Sequence, residues 1–290
     1  MLRRAIRKLR TWKKEKKEAR AIAMYLKNGR VAWSEGYHFY KAQEIIKVIQ
    51  SNDELNNFRE QILPPKYGIG MDERIVEIPY VLSQLSSDDF LILDAGSSLN
   101  YESVLLCDVL KEKEVTICTF HPENSFTHHR ISYVYSDLRD IYFKNQAFDA
   151  VISISTLEHV DMDNSIYGYD VANTSMIKEK SYEYMRVIIE LVRVIKSGGK
   201  ILITVPFGIY ENHGYFQQFD EEMIGRITEY LKEYGDPSLV FFKYKKDGWQ
   251  FSDVDHVKGC KAYNPHTGQG YSNDGAAHSR AICCIRFLKS

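Results

Sequence analysis

The chain has 290 residues, of which 44% are hydrophobic and 27% are charged, and a length near twice ~150 residues allows up to two domains. This composition is typical of a folded globular protein and excludes wholesale disorder, a fibrous repeat and a small disulfide-stapled domain. No run of about 18 uncharged apolar residues occurs, so the sequence predicts no membrane-spanning helix. The formal net charge is −1, but residues 1–20 carry ten basic and two acidic side chains. Residues 1–20, the basic arm, therefore have a formal charge of +8, and residues 21–290, the acidic body, have a formal charge of −9.

Residues 1–85 are predicted to form a helical extension. Apolar residues of the first predicted helix recur at helical spacing with cations between them: Leu2, Ile6, Leu9 and Trp12. This amphipathic helix should end near Gly29. Further helices are expected over 40–50, after a cap at Ser51, and over 72–85.

Residues 86–290 are predicted to form one α/β domain with a doubly wound, mainly parallel sheet of seven strands. Short apolar runs predict the strands at 90–93, 115–120, 131–135, 148–154, 200–205, 239–244 and 281–288. Helical spacing predicts helices over 101–111, 181–195 and 221–233. Crossovers of a dozen or more residues between the first five strands indicate parallel pairing. A polar, aromatic-rich loop near 245–278 is long enough to suggest a substrate-binding role.

The carboxyl ends of parallel strands are the expected ligand edge of such a sheet. The loop at 94–100 contains one glycine, which is a weak signal for a pyrophosphate site that needs three. The sequence also lacks the G-x-x-x-x-G-K-[ST] pattern, which disfavours hydrolysis of a nucleoside triphosphate.

Five motifs follow one another along the predicted sheet. They are 91–96 (LILDAG), 136–138 (SDL), 148–153 (FDAVIS), 157–160 (LEHV) and 197–200 (SGGK). In this order they resemble a class I S-adenosylmethionine-dependent methyltransferase, which has a Rossmann-like fold, over about residues 70–210. The segments 67–77 (YGIGMDERIVE) and 211–220 (ENHGYFQQFD) resemble a bacterial subgroup associated with glycan biosynthesis.

The resemblance implies that S-adenosylmethionine is the cofactor and that eight residues bind it. These are Asp94, Gly96, Ser98, Thr119, Asp137, Leu138, Ser155 and Thr156. The family pattern places the cofactor's ammonium near Asp94, directly or through water, and its adenine near Asp137. It places the sulfonium near Ser155 and Thr156. Simple helix capping is the alternative role for the two aspartates.

The sequence departs from the family pattern in two places. Ser98 and Asn100 stand where glycines are usual, and Thr119 or Phe120 ends the second strand, where an acid normally binds the ribose hydroxyls. Either ribose binding is looser in this protein, or the acid comes from another position, such as Glu123.

Methyl transfer to a hydroxyl requires alignment of the acceptor and removal of its proton, and histidine suits the second task near neutral pH. His213 is the first candidate for the base, with a structural or acceptor-positioning role as its alternative. His159 is the second, with an architectural Glu-His pair as its alternative. Six residues are candidates for acceptor binding: Glu158, Asp161, Asp163, Asn212, Trp249 and His256. No recognisable ligand spacing is present, so no metal is expected.

The basic arm has three interpretations. It could lie on an anionic membrane as an amphipathic helix, bind RNA or phosphorylated partners, or pack on the body or on a second subunit in a homo-oligomer. The acidic body disfavours nucleic acid.

The five cysteines are odd in number and lack a paired spacing, which favours buried free thiols and a reducing cytoplasm. Cys283 and Cys284 are adjacent in a predicted strand and should face opposite sides of the sheet. We expect a cytoplasmic enzyme, peripheral at the inner membrane face if the arm binds lipid, that O-methylates a sugar or glycan acceptor, which could be lipid-linked. The alternatives are methylation of a small metabolite or RNA, and a non-catalytic scaffold.

Overall fold

The computed structural model describes residues 2–168 and 180–290, with side chains described from residue 12 onwards in the first helix. Four helices form the N-terminal part: α1 (Leu2–Lys27), α2 (Tyr37–Ile49), α3 (Asn52–Arg59) and α4 (Arg74–Ser83). The predicted helices of this region are confirmed. The Oγ of Ser51 accepts the N–H of Glu54 at 3.3 Å and so caps α3, as predicted. The predicted apolar face of α1 at Leu2, Ile6 and Leu9 lies outside the described side chains.

Eight strands form the main sheet. They are β1 (Leu91–Ala95), β2 (Glu114–Thr119), β3 (Ile131–Tyr135), β4 (Phe148–Ile154), β5 (Ile195–Pro206), β8 (Gly235–Lys245), β9 (Gly248–Ser252) and β10 (Ala281–Lys289). Their order is β3-β2-β1-β4-β5-β10-β8-β9, with the four pairings from β3 to β5 parallel and the other three antiparallel. The predicted Rossmann-like, doubly wound architecture is confirmed. Because the order of strands reverses at β1 and β4, the ligand crevice is expected between their carboxyl ends.

The remaining elements connect the strands or lie at the sheet edge. The helices are α5 (Glu102–Leu105), α6 (Tyr184–Val194), α7 (Glu221–Lys232) and α8 (Val254–Val257). A short antiparallel ribbon is formed by β6 (Glu211–Asn212) and β7 (Gln217–Gln218). Two 3₁₀ turns, Leu157–His159 and Ser165–Tyr167, follow β4.

The structure differs from the sequence prediction in the region 245–278. This segment begins with β9 and α8, and β9 adds an eighth strand where seven were expected. The reason is hydrophobic packing, since Trp249 is buried and Phe251 stacks closely on Phe242 of β8. The predicted helix over 101–111 is also shorter, with only the four residues of α5 helical.

Two apolar layers cover the two faces of the sheet. Cys284 belongs to the layer that contains Phe58 of α3 and Ile75 of α4, whereas Cys283 belongs to the layer of α6 and α7. The adjacent cysteines therefore face opposite sides, as predicted, and all five cysteines are free thiols. Because α2, α3 and α4 share a core with the strands, the predicted boundary at residue 85 cuts through one hydrophobic core. Among the helices of residues 2–168 and 180–290, none combines the length and the hydropathy needed to cross a bilayer.

Candidate functional site

A cavity of about 360 Å³ opens at the carboxyl ends of β1, β2, β3 and β4. Its size is in the range of small-molecule sites, which starts at about 300 Å³. Seven of the eight residues predicted to bind a cofactor line it: Gly96, Ser98, Thr119, Asp137, Leu138, Ser155 and Thr156. The structure therefore brings together residues that lie up to 60 positions apart in the sequence.

Asp94, the remaining residue of the eight predicted to bind a cofactor, binds the backbone of the loop that follows β1. Its carboxylate is fully buried and accepts the backbone N–H groups of Ser98 at 3.2 Å and Leu99 at 2.9 Å. Burial raises the pKa of Asp94 to about 7. Because both oxygens bind the protein's own backbone, Asp94 shapes the loop, and the expected direct contact with a ligand ammonium does not fit this placement.

Gly96 lies where this loop approaches the end of β4. Its φ is 122°, and a Cβ atom at this position would overlap the side chain of Thr156. The Oγ of Ser98 donates to the carbonyl oxygen of Ile154 at 2.6 Å, which ties the same loop to β4. The close approach thus depends on a glycine at position 96.

We expect Gly96→Ala to lower the free energy of unfolding by about 1–3 kcal/mol through backbone strain, with a further loss from the overlap with Thr156. Gly198→Ala is the matched control, because Gly198 also has a positive φ, 76°, but a Cβ there meets open space. Chemical denaturation of both variants measures the difference. Equal destabilisation would show that the contact with Thr156 has no role.

A carboxylate reaches the end of β2 from a position four residues downstream. Glu123 accepts the hydroxyl of Thr119 at 3.2 Å and the hydroxyl of Ser97 at 2.7 Å, and it lines the cavity. The structure therefore provides an acid on this side of the cavity, at the position named as one alternative to the missing strand-end acid.

Asp137 and Leu138 follow β3, the neighbour of β2, and also line the cavity. The carboxylate of Asp137 is bound by Arg139, whose Nη2 and Nε lie 2.7 Å and 3.0 Å from its oxygens. Burial alone would raise the pKa of Asp137, but these hydrogen bonds outweigh it and lower the pKa. An adenine amino group at this site would have to share the carboxylate with Arg139.

Residues of α4 support the part of the cavity lining that contains Ser155. Ser155 has a left-handed φ of 40°, and its hydroxyl donates to Glu77 at 2.6 Å. The hydroxyl of Thr204 donates to the same Glu77 oxygen at 2.7 Å, and Arg74, which lines the cavity, donates to the other. Burial raises the pKa of the fully buried Glu77, and Arg74 opposes this shift. Glu77, paired with Arg74, therefore fixes the position of the Ser155 side chain in the cavity lining.

Sequence reasoning did not identify Arg74 and Glu77 as site residues. The signal was present, because these two charges lie three positions apart in a helix whose other residues are mostly apolar and buried. A charged pair on such a helix indicates a buried ion pair.

His159 lies in the first 3₁₀ turn after β4 and lines the cavity. Its Nδ1 is 2.7 Å from the carbonyl oxygen of Tyr215, which can only accept, so Nδ1 carries the proton. Nε2 is then a hydrogen-bond acceptor. Burial lowers the pKa of His159 to about 4 and keeps the ring neutral near pH 7.

The predicted acceptor-binding acids are separated by the structure. Asp161 lines the cavity, and its carboxylate accepts the hydroxyl of Ser181 at 2.8 Å. Asp163 instead caps the second 3₁₀ turn through the N–H of Ser165 at 3.0 Å. Glu158 is buried, which raises its pKa well above the usual value. Of the three, only Asp161 is placed to contact a ligand in the cavity.

His213 occupies a different environment from the one predicted for a base. Its imidazole is buried and stacks on Phe216 with ring centroids 4.4 Å apart and planes nearly parallel. Neither ring nitrogen makes a hydrogen bond within the described part of the chain, and burial lowers its pKa to about 4. This packing contradicts the role of His213 as the base. Its neighbour Asn212 accepts the N–H of Gly214 at 2.8 Å and so shapes the turn after β6.

Trp249 and His256 are also placed away from the cavity. Trp249 is 2% exposed, and its Nε1 donates to the carbonyl oxygen of Met71 at 3.0 Å. His256 is exposed and pairs with Asp253 at 2.8 Å at the start of α8. Neither residue lines the cavity, because Trp249 belongs to the hydrophobic core and His256 to a helix cap, so their contacts with a substrate stay predictions without support from this site.

The charges of the cavity favour a cationic ligand. Its two guanidinium groups are paired within the protein, Arg74 with Glu77 and Arg139 with Asp137 and Glu183. Among the residues that the structure describes, the remaining charged groups of the lining are the carboxylates of Glu123 and Asp161. Carboxylates accept hydrogen bonds from hydroxyl and ammonium groups, so the lining suits a positively charged ligand that carries hydroxyls.

Residues 93–203 match the family model described as a methyltransferase domain. No curated protein sequence matches the chain. Distantly similar solved structures include an S-adenosylmethionine-dependent methyltransferase from Thermotoga maritima, described as a possible histamine N-methyltransferase. It is 10% identical, with 86% of this chain and 99% of that chain covered and a TM-score of 0.42. Another is the 1,6-didemethyltoxoflavin-N1-methyltransferase of Burkholderia thailandensis with bound S-adenosylhomocysteine, at 11% identity, 87% and 90% coverage and a TM-score of 0.44.

Proposed function

We propose that this protein, whose residues 93–203 match the methyltransferase domain family, transfers a methyl group from S-adenosylmethionine to a hydroxyl group of a sugar or glycan acceptor. The observation that supports the hydroxyl acceptor best is His159, a neutral imidazole that lines the cavity and whose Nδ1 is engaged by a backbone carbonyl oxygen, so that Nε2 is its proton-accepting nitrogen. The family assignment concerns the methyl donor, whereas the acceptor is inferred from the chemistry of the lining.

The lining fits S-adenosylmethionine because this molecule is a sulfonium cation with ribose hydroxyls and an adenine amino group. We assign the ribose to the carboxylate of Glu123, and the adenine to Asp137 and Leu138. Ser155 and Thr156, at the end of β4, are assigned to the methyl-donor end. The bound cofactor supplies an activated methyl group for in-line displacement by the acceptor oxygen.

The protein's own groups align the acceptor and take its proton. The carbonyl oxygen of Tyr215 fixes the tautomer and the orientation of His159, so that Nε2 can accept the hydroxyl proton as the new C–O bond forms.

Two features of the cavity favour a sugar as the acceptor. Tyr167, which is about half exposed, lines the cavity and packs edge-on against His159 at 5.4 Å. The carboxylate of Asp161 lies in the same lining. An aromatic ring beside hydrogen-bond acceptors suits a polyhydroxylated ring better than a flat apolar substrate.

Titration calorimetry with S-adenosylhomocysteine tests cofactor binding, and we expect saturable binding at one site. The acceptor is tested with S-adenosylmethionine carrying a deuterated methyl group, incubated separately with cell-envelope glycans, small metabolites and RNA. Mass spectrometry should find the label in the glycan fraction. Label confined to metabolites or RNA would overturn the glycan proposal but preserve methyl transfer, whereas failure to bind S-adenosylhomocysteine would leave a scaffold.

A further inference from the structure

The first helix is exposed over the turns that precede its attachment to the body, as far as its side chains are described, from residue 12 onwards. α1 has 26 residues and so extends about 39 Å. From Trp12 to Lys17 every side chain is exposed, so this part of the helix is surrounded by solvent on all sides. A helix packed along the body would bury one face.

The attachment is confined to the last turns of α1. Ala21 and Tyr25 are buried, and Tyr25 packs edge-on against Tyr37 of α2 with centroids 6.0 Å apart. Gly36 permits this contact, because a Cβ atom there would overlap the backbone of Ala21. The body therefore holds the carboxyl-terminal end of α1, while the described turn from Trp12 to Lys17 is exposed.

The sequence of the amino-terminal part of α1 separates apolar from cationic positions. At 100° per residue, positions 2, 5, 6, 9 and 12 fall within an arc of about 120°, and they are Leu, Ala, Ile, Leu and Trp. The cations of the first ten residues occupy the rest of the circumference: Arg3, Arg4, Arg7, Lys8 and Arg10. This pattern is typical of helices that lie in the interface of an anionic bilayer.

We propose that α1 is a docking element for an anionic lipid surface, independent of the identity of the methyl acceptor. The arm carries +8 and the remainder of the chain −9, so an anionic bilayer attracts the arm while it repels the body. RNA fits the arm less well, because a continuous apolar stripe ending in Trp12 gains nothing from phosphate contacts, whereas a bilayer buries it.

Co-sedimentation of the full chain with vesicles tests the proposal. We expect binding to vesicles of phosphatidylcholine mixed with phosphatidylglycerol, weaker binding at high salt, and little binding to phosphatidylcholine alone. Replacement of Arg3, Arg4, Arg7, Lys8 and Arg10 by Gln should lower the affinity by about three thousandfold, since each interfacial cation contributes about fivefold.

The matched control removes the same charge from the body. Five exposed lysines serve for it, replaced by Gln in one variant: Lys232, Lys245, Lys246, Lys258 and Lys261. This control should bind anionic vesicles far more tightly than the arm variant, although its more negative body is repelled slightly more than that of the wild type. Trp12→Ala should weaken binding at every salt concentration, because it removes apolar burial and leaves the charge. Equal binding of the arm variant and the control would overturn the proposal, as would tighter binding to single-stranded RNA than to anionic vesicles.

Discussion

Replacement of His159 by Gln is expected to lower kcat by about 10²–10⁴-fold, the usual contribution of a general base. Gln keeps a polar side chain of similar reach but cannot take the proton at Nε2. The affinity for S-adenosylhomocysteine should stay close to that of the wild type, because the assigned cofactor contacts come from other residues. Steady-state kinetics with the glycan acceptor measures the loss of kcat, and calorimetry measures the affinity for S-adenosylhomocysteine.

The pH profile of the wild-type enzyme provides an independent measurement. Burial lowers the pKa of His159 to about 4, so the neutral, proton-accepting ring persists through the neutral range and is lost only as the pH falls towards 4. Activity should therefore lack a step near pH 6.5, where an exposed histidine titrates. A step near 6.5 that disappears in His159→Gln would contradict the burial of this side chain.

His213→Asn is the matched control for His159. Both rings are buried enough to have lowered pKa values, but His213 packs on Phe216 outside the lining of the cavity. Its replacement should lower Tm through lost packing and leave kcat near the wild-type value. A large loss of kcat in His213→Asn with unchanged Tm would restore His213 as the base.

The second large effect is expected for Glu77→Gln. The substitution removes the charged hydrogen-bond partner of Arg74, whose side chain is 28% exposed whereas that of Glu77 is buried, and we expect it to cost about 1.5–3 kcal/mol of stability. The positive charge of Arg74 should also repel the sulfonium of S-adenosylmethionine but not the neutral thioether of S-adenosylhomocysteine. Such repulsion is about 1–2 kcal/mol at separations near 10 Å. The affinity for S-adenosylmethionine should therefore fall roughly tenfold more than the affinity for S-adenosylhomocysteine.

A second substitution distinguishes this charge effect from simple damage to the fold. In the double variant Glu77→Gln and Arg74→Met the extra positive charge is gone, so the ratio of the two affinities should return towards the wild-type value. Glu35→Gln, which removes an exposed carboxylate before α2, should change neither affinity. A ratio that is unchanged in Glu77→Gln would show that Glu77 does not compensate charge at the cavity.

Sequence patterns were sufficient to predict the sheet and the grouping of the strand-end residues around one cavity. Motifs at the carboxyl ends of parallel strands must converge on one edge, so Gly96, Thr119, Asp137 and Ser155 could be placed together without knowledge of packing. The acceptor side was less predictable, because it depends on which loop residues become buried. His213 and Trp249 have side chains typical of functional sites, but both are buried and neither lines the cavity.

The orientation of His159 illustrates the same limit. Its role as an acceptor of protons depends on the carbonyl oxygen of Tyr215, 56 positions away, and no local pattern indicates that contact. Arg74 and Glu77 could be recognised as a buried pair from their helix, but not as the support of Ser155. In each case the missing information is a tertiary contact.

The contact between α4 and the cavity lining places part of the functional unit ahead of the region that the family model matches. The recognisable motif region starts at residue 93, whereas the carboxylate that holds Ser155 comes from position 77. Asp72, just before α4, accepts the hydroxyl of Tyr37, and Tyr37 contacts Tyr25 of α1. A fragment trimmed to the motif region would keep every diagnostic residue and lose the support of its methyl-donor end. The shortest active fragment is thus expected to be longer than the region that the family model matches.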